Sequence, residues 1–261
     1  MTPLAYEEHG PGDAPALLLL HGFLGSRRDW DPVIAELART RRCIAVDLPG
    51  HGETGAPDDE TLWTPAGCVA ALAGLLGRGG GSVAGYSLGG RLALQLAAEH
   101  PLAVARAVIV SSSPGVAGEC SRALRRNIDE GQARRLEEAG LDAFLEEWYR
   151  LPLFESLREH PRFADVLARR RRNDPRLLAR SLRQMGTGVQ RSLWTDLPSL
   201  RVPLLLLVGE LDAKFVDIAF DMAARSPSAE AVVVRGRGHA LVEEDPGAVA
   251  REIDAFVEGA I

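Results

Sequence analysis

One turn in this chain carries the residues that a nucleophilic serine requires. Its residues are Gly85, Tyr86, Ser87, Leu88 and Gly89, which fit Gly-x-Ser-x-Gly. The pattern follows a predicted strand and opens a predicted helix, so the serine hydroxyl projects above the sheet, and the glycines let neighbouring backbone pack closely. We therefore predict that Ser87 is a nucleophile rather than part of a simple Gly/Ser turn.

A serine on such a turn needs a base, and the base needs an acid that orients it. In proteins with this turn the acid and then the histidine follow the serine along the chain. Asp212 follows the strongest predicted strand and His239 follows the last one, where active sites of open α/β sheets form. The predicted catalytic residues are thus Ser87, Asp212 and His239. Glu210 and Asp217 are rival acids that are less well placed relative to the strand end.

Two backbone N–H groups are predicted to stabilise a developing oxyanion. One belongs to Leu88, directly after the serine, and the other to Phe23, which follows the first buried strand in His21-Gly22-Phe23. Donors at these two places form the oxyanion hole when a serine occupies a strand-to-helix turn. His21 itself is interpreted as structural.

The elements that must position these groups alternate between strand and helix. Short apolar runs at residues 16–20, 43–46, 82–84, 107–110, 203–208 and 231–234 are typical of strands buried on both faces of a parallel sheet. Helical patterns lie between them at 31–39, 65–76, 88–99 and 246–257. The alternation predicts an α/β fold with a mostly parallel central sheet and helices on both faces.

The alternation stops near Pro114 and resumes near Pro203. The stretch between is helical in pattern, which predicts one domain with a core of residues 1–114 and 197–261 and a helical cap inserted at 115–196. The cap segment holds 16 Arg against 13 Asp and Glu, a net charge of +3 in a chain whose net charge is −6. A basic cap in an acidic protein indicates an anionic ligand.

Composition excludes several classes of protein. A hydrophobic fraction of 46% and a charged fraction of 25% are typical of a folded domain with a sizeable core. The acidic balance argues against a nucleic-acid binder, and three scattered cysteines predict neither a disulfide framework nor a zinc site. The chain lacks a signal-peptide pattern and a membrane-spanning apolar run. We expect a cytoplasmic monomer or weak homo-oligomer without membrane partners.

The motifs resemble those of the α/β-hydrolase superfamily along the whole chain. They are His-Gly-Phe-Leu-Gly at 21–25, Asp-Leu-Pro-Gly-His-Gly at 47–52, Gly-Tyr-Ser-Leu-Gly-Gly at 85–90 and Gly-His at 238–239. Finer motifs resemble one subfamily, the menaquinone-pathway 2-succinyl-6-hydroxy-2,4-cyclohexadiene-1-carboxylate synthases. These motifs are Tyr-Ser-Leu-Gly-Gly-Arg at 86–91, Glu-Trp-Tyr at 147–149 with Pro-Leu-Phe at 152–154, Gly-Thr-Gly at 186–188 with Gln190 and Ser-Leu-Trp at 192–194, and Gly-Glu-Leu-Asp-Ala-Lys-Phe at 209–215.

This resemblance implies a lyase that needs no metal or organic cofactor. In the family, the triad removes a proton from a ring carbon of a small polycarboxylate, and pyruvate leaves by elimination. The substrate carries three carboxylates, which gives the basic cap a purpose. The substrate-binding residues that the resemblance implies are Tyr86, Arg91, Arg125, Trp148, Arg170 and Lys214.

Alternatives to these assignments stay open at the level of sequence. Arg91 could lie on the helix surface, Trp148 could be part of the cap core, and only one of Arg125 and Arg126 can point inward. The run of arginines at 169–172 is also consistent with a solvated helix face. Lys214 is the only lysine of the chain, which favours a specific role.

Other functions compete with the lyase. A serine esterase or a carbon–carbon bond hydrolase would use the same triad through an acyl intermediate, with an apolar acyl site in place of the arginines. A binding protein without activity would have no need of all three triad residues. A dinucleotide-binding enzyme is disfavoured because no Gly-x-Gly-x-x-Gly follows a strand.

Overall fold

The centre of the fold is a sheet of short strands that are buried on both faces. The computed structural model describes residues 4–77 and 79–259. Within these residues, seven strands form one sheet in the order β1-β3-β2-β4-β5-β6-β7. The strands are Tyr6–His9 (β1), Ala16–Leu20 (β2), Arg42–Val46 (β3), Gly81–Tyr86 (β4), Val104–Val110 (β5), Leu204–Gly209 (β6) and Ala229–Val234 (β7). The predicted α/β fold with a mostly parallel sheet is confirmed.

One strand runs against the others and was not expected from the sequence. β1 pairs antiparallel with β3, whereas the other neighbours in the sheet pair parallel. Its residues alternate between exposed and half-buried, because it lies at the edge and packs against the protein on one face only. An edge strand of this kind lacks the continuous apolar run by which the buried strands are predicted.

Helices connect the strands on both faces of the sheet. Outside the segment between β5 and β6 they are Asp31–Leu37 (α1), Pro65–Leu76 (α2), Leu88–Glu99 (α3), Ala213–Arg225 (α8), Leu241–Glu244 (α9) and Pro246–Glu258 (α10). The predicted helices at 65–76 and 88–99 have the observed bounds. α8 was not predicted, although it follows β6 as the alternation requires.

Side chains of each strand alternate between two apolar layers. In β2, Leu18 and Leu20 pack with α2 and α3, whereas Leu17 and Leu19 pack with α1 and α10. All four leucines are at most 1% exposed. Burial of this extent contributes about 1.5–3 kcal/mol for each side chain. Packing on both faces therefore fixes the register of the sheet and the level at which its strands end.

A separate group of helices lies between β5 and β6. They are Glu119–Tyr149 (α4), Glu155–Glu159 (α5), Phe163–Arg170 (α6) and Pro175–Met185 (α7), and α4 is interrupted at Gly140, whose φ is 80°. These cap helices bury their own apolar cluster, which includes Leu136, Phe144 and Leu178. Their position agrees with the helical insertion expected from the sequence, and the division at residues 115–196 stays a prediction.

The turn between β4 and α3 depends on close approach of backbone from β2. A Cβ atom on Gly89 would lie 2.7 Å from the carbonyl oxygen of His21 and still closer to that of Leu20. The Gly89 N–H also donates to the His21 carbonyl oxygen at 3.0 Å. Only glycine fits between these groups, since a side chain would separate α3 from the end of β2.

Replacing Gly89 by alanine is expected to destabilise the protein by roughly 1–3 kcal/mol or more, because backbone cannot move aside as a side chain can. Gly74, exposed in α2 with no atom near its Cβ position, is the matched control. There alanine is expected to raise the free energy of unfolding by about 0.5–1 kcal/mol. Urea unfolding of both variants tests this prediction, and equal stability of Gly89→Ala and the wild type would contradict it.

Candidate active site

Ser87 lies on the strained turn that its sequence motif predicts. Its φ and ψ are 51° and −105°, a conformation that costs a non-glycine residue free energy and that is found at functional sites. The turn is held by hydrogen bonds on both sides. The Ser87 N–H donates to the Val110 carbonyl oxygen at 3.0 Å, and the Ser112 hydroxyl donates to the Ser87 carbonyl oxygen at 2.7 Å. Ser87 thereby lines a cavity between the sheet and the cap helices.

His239 is oriented by Asp212, as the order of motifs predicts. The distance between His239 Nδ1 and Asp212 Oδ2 is 2.6 Å, and both side chains are buried. A carboxylate accepts the Nδ1 proton, so Nε2 is left with its lone pair as a base. The rival acids lie elsewhere: Glu210 accepts from the Gly236 N–H, and Asp217 is exposed on α8.

Aromatic rings enclose the imidazole of His239. Its ring centroid lies 4.7 Å from that of Phe215, 5.6 Å from that of Tyr86 and 5.9 Å from that of Phe154. Burial raises the pKa of the Tyr86 hydroxyl well above its usual value, so this group stays protonated and can donate a hydrogen bond. The base therefore works in an environment with little water, where electrostatic interactions are strengthened.

Ser87 and His239 line the same cavity, but their side chains are not hydrogen-bonded to each other in the described part of the chain. In unliganded sites such hydrogen bonds are often long and shorten only when substrate binds. The geometry thus contains the acid–base pair and the serine on its turn, with the contact between serine and base still to form.

Two backbone N–H groups next to Ser87 are free to bind an oxyanion. Neither the Phe23 nor the Leu88 N–H has a partner among the described residues, whereas the neighbouring N–H groups of Leu24, Ser87 and Gly89 donate hydrogen bonds. A Cβ on Gly22 would lie 2.7 Å from the Tyr86 ring and 3.5 Å from Ser87 Cβ. The loop from β2 therefore reaches the serine, and the role of the Phe23 and Leu88 N–H groups as oxyanion donors stays a prediction.

Two histidines of this region hold loops together. His21 Nε2 accepts from the Leu48 N–H at 3.0 Å and its Nδ1 donates to the Gly22 carbonyl oxygen at 2.8 Å. His51 accepts from the Leu24 N–H. Burial lowers the pKa of both rings, and that of His51 falls to about 3. Both are neutral at physiological pH, which agrees with the structural interpretation of His21.

The cavity above Ser87 has a volume of about 720 Å³ and is formed by the sheet edge and the cap helices. Trp148 lies in its wall, 5.4 Å from the ring centroids of both Phe23 and Phe144. Lys214 also lines it, with Nζ 5.4 Å from the centre of the Phe215 ring. Trp148 therefore belongs both to the cap core and to the pocket, two interpretations that the sequence could not separate.

Arg91 faces the cavity from α3, one turn after Ser87. It is 9% exposed, and its Nη1 donates to Gln190 Oε1 at 2.7 Å and to the Met185 carbonyl oxygen at 3.2 Å. Burial, followed by the nearby charge of Arg125, lowers its pKa to about 10. Arg91 therefore remains a cation at neutral pH and is held by neutral groups only.

The structure distinguishes Arg125 from Arg126. Arg125 lines the cavity, and its Nε donates to the buried carboxylate of Asp129 at 2.8 Å. Arg126 points away from the cavity, where it donates to the Gly188 carbonyl oxygen at 3.2 Å and pairs with Glu119. The residue that the motif favoured is the one that faces inward.

Arg170 also lines the cavity but already has anionic partners. Its Nη1 donates to Asp29 at 2.6 Å and its Nη2 to Glu243 at 3.0 Å, and its side chain is 5% exposed. Burial alone would lower the pKa of Arg170, but Asp29, Tyr149 and Glu243 raise it well above its usual value. A solvated helix face is thus wrong for Arg170, and its role as a carboxylate ligand stays a prediction. Arg171 is exposed and pairs with Asp142.

The sequence analysis did not identify three polar residues of this region. Glu243 lines the cavity, Asp29 supports Arg170 from below, and Gln190 bonds to Arg91. Glu243 lies four residues after His239, a proximity that could have indicated it. Gln190 occurred in a family motif, but only its contact with Arg91 suggests a role.

Searches of the described residues for two other features gave no candidates. In residues 4–77 and 79–259, no group of three or more His, Cys, Asp and Glu is arranged to hold a metal ion. Over the same residues, no helix combines the length and the apolar character that crossing a bilayer requires.

Comparisons with known proteins agree with the fold and the motifs. A 2-succinyl-6-hydroxy-2,4-cyclohexadiene-1-carboxylate synthase of Salmonella enteritidis is 34% identical over 94% of this chain and 96% of its own length. The solved structure of MenH from S. aureus is 33% identical, with a TM-score of 0.92 over 99% of this chain and 98% of that one. Protein PHYLLO of Arabidopsis thaliana is 33% identical over 88% of this chain, which spans only 14% of that longer protein.

The family follows from these similarities. Residues 17–252 match the alpha/beta hydrolase family, and this range contains every strand from β3 to β7 together with Ser87, Asp212 and His239. The synthase match extends over nearly the full length of both chains. The chain belongs to the alpha/beta hydrolase family and, within it, to the family of 2-succinyl-6-hydroxy-2,4-cyclohexadiene-1-carboxylate synthases.

Proposed function

We propose that this protein is a carbon–oxygen lyase that forms 2-succinyl-6-hydroxy-2,4-cyclohexadiene-1-carboxylate. Its substrate is 2-succinyl-5-enolpyruvyl-6-hydroxy-3-cyclohexene-1-carboxylate, and the second product is pyruvate. The observation that carries the proposal is the meeting of Ser87 and His239 with arginines in one cavity. A base beside bound carboxylates is what elimination from a polyanion requires.

The reaction begins with removal of a ring proton next to the succinyl carbonyl group. Asp212 holds His239 so that Nε2 accepts the Ser87 proton as Ser87 takes the proton from carbon. Electrons of the broken C–H bond move through the ring, the bond from the ring to the enolpyruvyl oxygen breaks, and enolpyruvate leaves. Enolpyruvate takes up a proton and becomes pyruvate.

The oxyanion donors stabilise the charge that develops before the leaving group departs. Loss of a proton next to a carbonyl group places negative charge on the carbonyl oxygen. The free N–H groups of Phe23 and Leu88 are suited to that oxygen, and donors that are already oriented act without reorganisation. The same groups would stabilise a tetrahedral intermediate in a hydrolase. They therefore support a reaction with an oxyanion intermediate but do not distinguish the lyase from a hydrolase.

The arginines select the substrate. Three carboxylates that enter a cavity under the cap lose water, and an unpaired anion in such a place costs several kcal/mol. Arg91 and Arg125 line the cavity with guanidinium groups, which bind carboxylates through two parallel hydrogen bonds. Arg170 and Lys214 add positive charge, the Tyr86 hydroxyl donates a hydrogen bond, and Trp148 shapes the apolar wall.

Replacing Ser87 by alanine is expected to lower turnover by on the order of 10⁴-fold or more while leaving the fold intact. Replacing Asp212 by asparagine is expected to cost at least about 10³-fold, because an amide favours the wrong tautomer of His239. The measurement is the initial rate of pyruvate formation, with circular dichroism as a check on folding. Near-normal activity of Ser87→Ala would rule out the serine as a reacting group.

The purified protein is expected to release pyruvate from the enolpyruvyl substrate in the presence of a metal chelator. It is expected to hydrolyse p-nitrophenyl esters poorly, because a cavity with buried arginines disfavours neutral substrates. Lactate dehydrogenase with NADH measures the pyruvate, and absorbance measures the nitrophenol. Efficient ester hydrolysis together with no pyruvate would identify a serine hydrolase instead.

Replacing Arg91 or Arg125 by alanine is expected to weaken transition-state binding by roughly 2–5 kcal/mol, the cost of removing one partner of a buried charge pair. Arg171 is the control, since an exposed arginine is expected to contribute less than about 0.5 kcal/mol. Arg170 is unsuitable for this comparison because its loss would leave Asp29 and Glu243 buried and unpaired. Arg125→Ala leaves the buried carboxylate of Asp129 unpaired, so its Tm is measured beside its specificity constant. The measurement is the specificity constant, kcat/KM, of each variant. Values for Arg91→Ala and Arg125→Ala equal to that of Arg171→Ala would refute the proposal of a polyanionic substrate.

A further inference from the structure

The three arginines of the cavity differ in how their charges are compensated. Arg170 contacts two carboxylates, those of Asp29 and Glu243, and Arg125 contacts one, that of Asp129. Arg91 contacts no carboxylate among the described residues. Its hydrogen bonds go to the side-chain amide of Gln190 and to a backbone carbonyl oxygen. Of these three side chains, Arg91 alone therefore has no carboxylate within hydrogen-bond distance.

Gln190 holds Arg91 in two ways. Its Oε1 accepts from the guanidinium group at 2.7 Å, and its Nε2 donates to the backbone carbonyl oxygen of Arg91 at 3.0 Å. Nε2 also donates to Gln95 Oε1 at 3.4 Å. These bonds fix the orientation of the amide, because two acceptors face its nitrogen and a cation faces its oxygen. At 1% exposure the side chain has no freedom to turn over.

A neutral partner has an electrostatic consequence that a carboxylate would not have. An amide oxygen positions the guanidinium group without cancelling its charge, so the field of Arg91 extends into the cavity. Burial and the like charge of Arg125 both disfavour the cation and lower the pKa of Arg91, and the charge of Asp129 offsets only part of this effect. An anion that enters the cavity compensates the buried charge of Arg91 and its repulsion from Arg125. The binding free energy of the anion is therefore more favourable at Arg91 than at an arginine that already has an anionic partner.

We propose that Gln190 is a positioning and specificity-determining residue that makes Arg91 the principal anchor for one substrate carboxylate. Gln190 does not line the cavity and acts only through Arg91. The inference rests on the proposed function, because it takes the ligand of Arg91 to be a carboxylate of the substrate. Beyond the proposed function, the inference is that selectivity for anions requires an uncharged side chain at position 190.

The test replaces the amide by groups of similar size. Gln190→Glu places a carboxylate against Arg91, whereas Gln190→Met removes the hydrogen bonds without adding charge. Gln184→Glu is the matched control, since Gln184 is half-buried on α7 outside the cavity and the substitution changes the net charge equally. Each protein is assayed for pyruvate release, with kcat and KM determined separately.

Gln190→Glu is expected to raise KM by on the order of 100-fold, because the ion pair removes the charge that the substrate needs. Gln190→Met is expected to raise KM by about tenfold, the effect of losing a hydrogen bond to a charged group, with kcat within about threefold of the wild type. Gln184→Glu is expected to behave as the wild type. Equal KM values for Gln190→Glu and Gln190→Met would overturn the proposal, since the charge of the partner would then not matter.

A binding measurement separates this inference from the proposed function. The probe is propane-1,2,3-tricarboxylate, with its neutral trimethyl ester as the uncharged control, and the readout is the shift of Tm that each causes in a given variant. Comparing each variant with and without the probe removes any effect of the substitution on stability itself. The tricarboxylate is expected to raise Tm of the wild type, to raise that of Gln190→Met less and to leave that of Gln190→Glu unchanged.

The activity assay and the Tm shifts together distinguish failure of the proposed function from failure of the role of Gln190. A wild-type protein that releases no pyruvate but shows this order of Tm shifts would refute the proposed function and support the role of Gln190. Active wild-type protein with the same tricarboxylate shift in Gln190→Glu as in the wild type would refute the role of Gln190 alone. If Gln190→Glu does not fold, Gln190→Met decides: a raised KM at nearly unchanged kcat supports the inference, and an unchanged KM overturns it.

Discussion

Close backbone packing at the end of β4 is the constraint on which the rest of the site depends. Gly85 and Gly89 let α3 start directly above the ends of β2 and β4, at distances that no side chain would allow. Ser87 is thereby forced into a left-handed conformation and its hydroxyl is raised above the sheet. The same packing brings the Phe23 and Leu88 N–H groups close to Ser87, so the proposed nucleophile and the proposed oxyanion donors are positioned by the same backbone contacts.

The parallel sheet supplies the remaining groups because all its parallel strands end at one edge. Asp212 follows β6 and His239 follows β7, and these neighbouring strands bring the two side chains within 2.6 Å. The apolar layers on both faces fix the height of the strands. A shift of one residue in either strand would therefore separate the pair, so the orientation of His239 depends on the packing of the core.

Charge compensation gives the cap its chemical character. Most cap arginines are paired at the surface, as Arg135 is with Glu147 and Arg183 with Glu130 and Glu137, and such pairs contribute little to stability. Inside, Arg170 joins the cap helix α6 to Asp29 and Glu243 of the core, which ties the cap down over the site. Of Arg91, Arg125 and Arg170, which line the cavity, Arg91 alone is held by neutral groups. The affinity of the cavity for anions therefore depends on contacts that the net charge of the cap does not reveal.

The sequence by itself determined the buried strands, the turn at Ser87 and the positions of Asp212 and His239 after neighbouring strands, because local rules govern them. Few structures other than a buried strand produce an apolar run between turn residues. Few structures other than a strand-to-helix turn require glycines two residues before and two residues after a serine. The edge strand β1 and the helix α8 were not predicted. Their sequences mix polar and apolar residues in a way that is also common in loops. The family resemblance added the cavity residues and favoured Arg125 over Arg126.

Only the tertiary structure decided which charges are free. Adjacent arginines look alike in a sequence, and their partners lie far away along the chain: Arg170 is 141 residues from Asp29, and Arg91 is 99 residues from Gln190. Whether a guanidinium group faces a carboxylate or an amide depends on how helices and loops pack, and no local pattern encodes it. For that reason the turn that carries Ser87 could be predicted from the sequence, whereas the electrostatic character of the pocket beside it required the fold.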